Sequence, residues 1–422
     1  MQKAIKPRLL LKLDFKRESY GPNDEVEAEL SARDLQDRAI ALQEVTYTAK
    51  LPSSDFSKQG RATTDGNGKA IVRFKLPEKI EKSDGLLTIF IQHKQKLESI
   101  SGSIPVVLGN IAVDFFPEGG TWVSDIEGKM AFKALNEFGA PADIEGVIED
   151  EGGRTVTKFK SFHQGLGSFT FTPQEGEQYQ LRITKPSGIT KKYKLPVAKT
   201  DKYALGVEKI DRKKLKVRLY SHQPDTMYLV VQSGGKIQFS QKMLVQGNNT
   251  QTIPIDDFPV GIAKMSLFDK SKKTRCERPV FVNPHKQIKV EIKTVKKNYQ
   301  PREKVTVDIL TTNEAGKPIS ANLSVAVVDG KILAMADDKQ DNILSYLLMS
   351  AELKGKVYEP NFYFKPDEPK AIPALDYVMM THGWRRYEWK EVFKDNFTPN
   401  YNKERVTQTR DGKLITSLSS KI

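Results

Sequence analysis

The sequence contains a single cysteine, Cys276, among 422 residues. One cysteine excludes an internal disulfide framework and any zinc site built from several cysteine ligands. Because free cysteines usually lie buried among apolar side chains, we expect Cys276 to be a small core residue.

Long apolar runs are also absent from the sequence. No window approaches the roughly 20 apolar residues that a membrane-spanning helix needs. The segment Met1–Lys6 carries charge and lacks the apolar stretch of an export signal. We therefore expect no transmembrane helix, and either a cytoplasmic chain or one whose export signal has been removed.

Motifs that bind nucleotides or metals are missing as well. Neither a G-x-x-x-x-G-K-S/T loop nor a G-x-G-x-x-G turn occurs, and Gly165-Leu-Gly167 is typical of a hairpin turn. The acidic turn Glu149–Gly153 lacks the spacing of a calcium loop and predicts a solvated hairpin tip. The five histidines have no partner at zinc-ligand spacing: His93, His163, His222, His285 and His382. We predict no cofactor, no metal, no catalytic site and no enzymatic activity.

Basic residues outnumber acidic ones, with 67 Lys and Arg against 53 Asp and Glu and a net charge of +14. The charge is spread through short segments such as Lys270–Lys273, which favours a solvated basic surface. The alternative is a weak, salt-sensitive contact with anionic lipid or polysaccharide. No compact pattern of aromatic and basic residues is present, so we expect no nucleic-acid partner.

From Leu9 to about Asn283 the sequence consists of short alternating runs separated by Gly, Asn, Asp and Pro. Alternation of β-branched and aromatic residues over four to eight positions is typical of strands in antiparallel β-sandwiches. The clearest runs are Val113–Phe116, Met130–Ala134, Ser168–Thr172, Tyr179–Ile183, Leu215–Tyr220, Met227–Gln232 and Ile288–Ile292.

The chain is longer than one hydrophobic core usually organises, and proline-bearing connections divide it. The fold class that we predict is all-β, with tandem immunoglobulin-like antiparallel β-sandwiches and a short helical insertion in the last one. The predicted sandwiches are residues 1–107, 108–196, 197–285 and 286–392, followed by a linker or the start of a further domain at 393–422.

One stretch breaks the β pattern. Apolar residues recur at three- and four-residue spacing from Ile343 to Ala351, after the capping candidates Asp341 and Asn342. A second helix is predicted around 373–380, ending near Gly383. We assign the helical segment to residues 341–383, and a later strand to Lys413–Leu418.

Two short motifs occur twice in the chain. Tyr20–Val26 is matched by Tyr299–Val305, and Asn136–Pro141 is matched by Asn313–Pro318. In the first motif we expect the acidic residue to accept hydrogen bonds from turn amides. In the second we expect the glycine to be left-handed. The duplication indicates a repeated type of sandwich.

The Tyr-x-Pro-x-acidic-x-Val opening resembles a macroglobulin-type (MG2) domain of the alpha-2-macroglobulin superfamily. The segments Phe115–Gly120, His163–Pro173 and Leu323–Asp329 resemble macroglobulin-domain proteins of Gram-negative cell envelopes. In those proteins a helix-loop-helix similar to 350–387 precedes a carboxypeptidase-regulatory-like sandwich and a TonB-dependent receptor plug domain. The resemblance covers nearly the whole chain and implies a periplasmic or outer-membrane-associated location.

The Cys-Gly-Glu-Gln thioester of defensive macroglobulins is absent, because Cys276 lies in Thr-Arg-Cys-Glu-Arg. We therefore expect a non-catalytic envelope scaffold or protein-binding module associated with outer-membrane transport or assembly. One alternative is a thioester-free, protease-binding macroglobulin with a cleavable bait at Lys339–Asp341 or Lys365–Lys370. Another is an accessory part of an enzyme that acts on polysaccharide.

An aromatic and basic cluster near the end of the last predicted sandwich is the candidate partner surface. It consists of Trp384, Arg385, Arg386, Tyr387 and Trp389. Trp, Tyr and Arg dominate the energetic hot spots of protein interfaces, which favours a protein partner in the cell envelope, such as an outer-membrane component. The alternative is that the two tryptophans pack against the last sandwich or a following domain.

Overall fold

A computed structural model describes residues 8–200, 202–296, 299–328 and 339–382, together with two short strands nearer the C-terminus. The chain divides into two compact units, Met1–Trp384 and Arg385–Ile422. No helix in the described ranges is long and apolar enough to span a bilayer.

The first sandwich has two sheets, with strand orders β1-β2-β5 and β4-β3-β6-β7. In β3 the side chains of Val45, Tyr47, Ala49 and Leu51 are buried and the intervening ones are not, because successive side chains point to opposite faces. The core lies between the two sheets. The strands are β1 (Leu9–Phe15), β2 (Glu25–Asp34), β3 (Glu44–Leu51), β4 (Phe56–Thr63), β5 (Lys69–Lys75), β6 (Leu86–His93) and β7 (Lys96–Ser103).

The second sandwich contains seven strands in the order β14-β13-β10-β11-β12-β9-β8. Strand β11 pairs with β10 through residues 155–160 and with β12 through residues 161–163. It therefore joins the strands on its two sides into one sheet, which encloses a core rich in aromatic side chains. A hairpin turn is present near the predicted one, but Gln164 and Gly165 form it, both with positive φ, while Leu166 and Gly167 already belong to β12. The strands are β8 (Ile111–Pro117), β9 (Gly128–Asn136), β10 (Glu145–Glu149), β11 (Thr155–His163), β12 (Leu166–Phe171), β13 (Gln180–Lys185) and β14 (Lys192–Lys194).

The third sandwich contains β15 (Tyr203–Ile210), β16 (Lys214–Ser233), β17 (Lys236–Pro254), β18 (Gly261–Phe268) and β19 (Thr274–Val282). The predicted strands at 215–220 and 227–232 are parts of one strand, β16, whose register shifts between Ser221 and Asp225. Pro224 lies between these two residues. Because proline has no backbone N–H, it interrupts the hydrogen-bond ladder there, although the chain continues in the same strand. Cys276 is buried in the core of this sandwich, as predicted.

Between the third sandwich and the helical segment the described residues contain one hairpin, formed by β20 (Lys289–Thr294) and β21 (Val307–Thr312). The helical segment comprises α1 (Ile343–Ser345), a π-helical turn (Tyr346–Ser350), a 3-10 helix (Pro360–Phe364) and α2 (Ala371–Thr381). The predicted cap is confirmed, since Asn342 Oδ1 accepts from the amides of Leu344 and Ser345, each over 2.9 Å.

Both duplicated motifs fold in the same way at their two positions. Asp24 Oδ2 accepts from the Gly21 amide over 2.8 Å, and Glu303 Oε2 accepts from the Gln300 amide over the same distance. The loop glycines have φ of 73° at Gly139 and 76° at Gly316, as expected.

The fold is all-β, with tandem antiparallel sandwiches and a short helical insertion, as the sequence predicted. The domain boundaries stay a prediction. The second unit is described by one antiparallel pair, β22 (Val406–Gln408) with β23 (Leu414–Thr416), of which β23 falls in the predicted strand.

Candidate functional site

The partner surface predicted from sequence lies outside the described residues. This applies to Trp384, Arg385, Arg386, Tyr387 and Trp389, so their role stays a prediction.

In the acidic turn considered for calcium, the carboxylates of Glu149 and Asp150 are in ion pairs. Glu149 pairs with Arg182 over 2.6 Å and with Lys192 over 3.2 Å, and these side chains hold the pKa of Glu149 below its usual value. Asp150 accepts from the backbone amide and the side chain of Arg154, each over 2.9 Å. Among residues 8–382 that the structure describes, no group of three His, Cys, Asp or Glu side chains is arranged to hold a metal ion.

The helical segment packs on the second and third sandwiches. Leu166 of β12, Ile262 of β18 and Phe281 of β19 contribute to one apolar cluster with side chains of the helical segment. The members from the helical segment are Met349, Leu353, Val357, Tyr363, Ala374, Leu375, Val378 and Met379. Burial of this apolar surface links two neighbouring sandwiches through a segment that lies more than 60 residues after them in the chain.

A buried cation reinforces this contact. Arg278 of β19, with 1% of its side chain exposed, donates to Glu118 Oε1 over 2.9 Å and to Asp376 Oδ1 over 2.7 Å. Glu118 follows β8, and Asp376 lies in α2. Burial alone would lower the pKa of Arg278, but the two carboxylates offset it and hold that pKa above its usual value.

A cleft of about 790 Å³ opens between the third sandwich, the β20–β21 hairpin and the helical segment. Phe281, Tyr363 and Leu375 form a buried apolar floor, and Ile288 and Ile372 form exposed apolar walls. Charged side chains of both signs lie among the lining residues: Asp211, Arg212, Lys289, Glu314, Lys365 and Glu368. An apolar floor with polar groups at the rim is typical of a binding cleft.

The hairpin beside the cleft presents apolar side chains to solvent. Val290 and Ile292 of β20 alternate with charged residues, and Ile292 is 65% exposed. In the part of the chain that the structure describes, β20 pairs with β21 alone, so its other edge carries backbone groups outside any sheet ladder. Such an edge accepts a further strand. The site therefore combines an apolar cleft with a strand edge, an arrangement suited to an extended peptide.

Neither this site nor the buried arginine was predicted from the sequence. Arg278 stands two residues from Cys276 and two from Val280, which are core positions of an alternating strand. The alternation places residue 278 in the core, so the arginine at this position was the signal that could have revealed the buried cation.

No family model matches the chain. Alpha-2-macroglobulin of Salmonella reacted with methylamine is similar at 12% identity and a TM-score of 0.33, over 73% of this chain and 25% of that one. The native conformation of E. coli alpha-2-macroglobulin gives 11% identity and a TM-score of 0.34, over 75% and 26%. A tetra-tandem repeat from the extending region of a large adhesion protein gives 11% identity and a TM-score of 0.21, over 71% and 80%.

The chain spans about a quarter of the macroglobulin chains that it matches. TM-scores of this size do not establish a shared overall fold. The assignment of tandem sandwiches therefore rests on the strands and registers described above.

Proposed function

We propose that the chain is a non-catalytic, protein-binding part of a macroglobulin-type protein of the bacterial cell envelope. The observation that carries the proposal is the cleft of about 790 Å³, whose lining includes Ile288 and Lys289, where β20 begins; among the described residues this strand pairs with β21 alone. The apolar cluster and Arg278 link the second and third sandwiches, and this contact holds the site in position.

The partner that fits the site is an extended protein segment. Its backbone would add to the β20 edge, as in recognition by strand addition, and its apolar side chains would enter the cleft. Burying two or three such side chains against Phe281 and Leu375 supplies most of the binding energy, at roughly 25 cal/mol per Å² of apolar surface.

The charge of the chain favours an acidic partner. With a net charge of +14, the protein attracts acidic surfaces at long range and accelerates their association at low salt. The proposal includes an association with outer-membrane transport or assembly, because the sequence motifs resemble those of envelope macroglobulin-domain proteins. The Trp384–Trp389 cluster is proposed as a second contact with the same partner.

One of the two segments considered as a protease bait is held by side chains. Lys339 pairs with Glu359 over 2.6 Å, and Asp341 Oδ1 accepts from the hydroxyls of Ser345 and Ser350, each over 2.9 Å. A bait must be accessible and free to unfold locally, so these bonds favour the envelope-module proposal over a protease-binding one.

The test is a crosslinked pull-down of the chain from envelope extracts of its source bacterium. Three variants are compared with the wild type: Ile292→Lys on β20, Leu97→Lys on β7, and Trp384→Ala combined with Arg386→Ala. Leu97 is a matched control, because it is 67% exposed against 65% for Ile292 and also lies on an edge strand.

The proposal predicts that Ile292→Lys loses a defined protein and that Leu97→Lys keeps it. If the variant with Trp384→Ala and Arg386→Ala also loses this protein, the second contact belongs to the same partner. Equal recovery of every protein by Ile292→Lys and the wild type would remove the β20 edge as the binding site.

A further inference from the structure

A second pocket, of about 170 Å³, lies where the first sandwich, the second sandwich and the helical segment meet. Lys16 and Arg17 follow β1, Lys160 is on β11, and Lys370 directly precedes α2. Four cationic side chains from three parts of the fold therefore line one pocket.

The two acidic residues in the wall of this pocket are already engaged. Asp143 accepts from two backbone amides, with Oδ2 2.9 Å from the Glu18 nitrogen and Oδ1 3.1 Å from the Gly165 nitrogen. Glu145 pairs with Lys185 over 3.0 Å and with Lys160 over 3.4 Å. The carboxylate of Asp143 therefore already binds backbone amides, and that of Glu145 already binds two lysines.

Arg17 is the cation whose bonding is incomplete. Its guanidinium lies over the Tyr20 ring, 5.4 Å from the ring centre. Its Nη2 atom is buried and has no hydrogen-bond partner among the described residues. A charged donor that has lost its hydration needs an acceptor, and a planar guanidinium is suited to two oxygens of one anion.

We propose that this pocket binds a compact oxyanion, a phosphate, sulfate or carboxylate group, with Arg17 as its main ligand. Lys370 adds positive charge to the pocket, as do Lys16 and Lys160, which pair with Glu29 and Glu145 respectively. The pocket does not share a lining residue with the cleft beside β20, so this site is independent of the proposed protein-binding function. The site gives the basic chain one defined anion position in place of a diffuse charged surface.

The test is isothermal titration calorimetry of the full chain with sodium phosphate and, separately, with sodium glucuronate, at fixed ionic strength. Fixed ionic strength matters because diffuse attraction changes with screening, whereas a built site saturates. Saturable binding of phosphate, of glucuronate or of both supports the proposal, and the better ligand identifies a phosphate or a sugar acid as the source. The absence of saturation with both anions overturns it.

Two variants and one control locate the site. Arg17→Met keeps the length of the side chain and removes its charge, and we expect it to weaken binding about ten-fold or more. Lys370→Gln alters an exposed residue that does not support the fold, and we expect about two- to five-fold weaker binding. Arg61→Met, in an exposed pair with Glu44 on another face of the first sandwich, is the control.

Equal weakening by Arg17→Met and Arg61→Met would show diffuse attraction and would overturn the proposal. If Arg17→Met does not fold, Lys370→Gln decides, since wild-type affinity in that variant contradicts the assigned pocket.

Discussion

The guanidinium of Arg278 donates to Asp376 across 2.7 Å, although the two residues are 98 positions apart in the chain. Through the same side chain Arg278 also reaches Glu118, which is 160 positions away. One buried cation therefore connects the second sandwich, the third sandwich and α2. This connection, with the apolar cluster around it, fixes the helical wall of the cleft relative to the third sandwich.

Replacement of the buried arginine is expected to destabilise the chain strongly. In Arg278→Met the carboxylate of Glu118, 6% exposed, stays buried without its main partner. We expect the free energy of unfolding to fall by roughly 3–5 kcal/mol, as for other broken buried ion pairs. Urea unfolding followed by circular dichroism measures it.

The control for this experiment is Arg73→Met, which removes an exposed pair with Glu27 at 3.1 Å. Exposed pairs contribute about 1 kcal/mol or less. If the two variants lose the same stability, the buried ionic link does not hold the sandwiches together.

A separate prediction concerns the apolar cluster under the helical segment. Phe281→Ala removes a buried ring that contacts this cluster and the floor of the cleft, and we expect a loss of roughly 3–5 kcal/mol in unfolding free energy. Proteolysis in the loop Lys365–Lys370 should become faster, because the helical segment opens more often. Phe138→Ala, at an exposed position, should change neither quantity.

The stability of the junction between the first two sandwiches is expected to depend on pH through Glu18. The pKa of Glu18 is raised from 4.5 to about 7, first by burial and then by the carboxylates of Asp143 and Glu359, while Lys339 opposes the rise. The folded chain therefore holds a proton that the unfolded chain releases. This contribution to stability falls as the pH rises from 4.5 to about 7, and it stays constant above that.

Glu18→Gln removes this titration. We expect the variant to exceed the wild type at pH 8 by up to roughly 3 kcal/mol in unfolding free energy, and to match it near pH 4. Thermal unfolding across this pH range tests the difference, with Glu44→Gln, an exposed acid, as control. A difference between Glu18→Gln and the wild type that does not vary with pH would contradict the account.

The thiol of Cys276 is expected to be unreactive in the folded protein. Burial raises its pKa to about 12, and Sγ donates to the Tyr203 carbonyl over 3.3 Å. Because the thiolate is the reactive form, a thiol reagent at pH 8 should modify the native chain slowly and the urea-unfolded chain at once. Rapid modification of native protein would show that the third sandwich opens.

The strands and turns were predictable from sequence because they depend on neighbouring residues. The alternation that buries Val45 and Tyr47, the cap at Asn342 and the left-handed Gly139 are local features. The site was not predictable in this way, because it brings together residues from Ile210 to Asp376 through packing. The helical segment was expected in the last sandwich, and no sequence pattern indicates that it covers the second and third sandwiches.

The β20 edge is the central claim, and site-specific photo-crosslinking tests it most directly. A photo-reactive amino acid is placed at position 292 in one protein and at position 97 in another, and each is illuminated with envelope extract. The account predicts a protein adduct from position 292 that an excess of unlabelled wild-type chain abolishes, with none from position 97. Adducts of equal yield from both positions, or none from position 292, would contradict it.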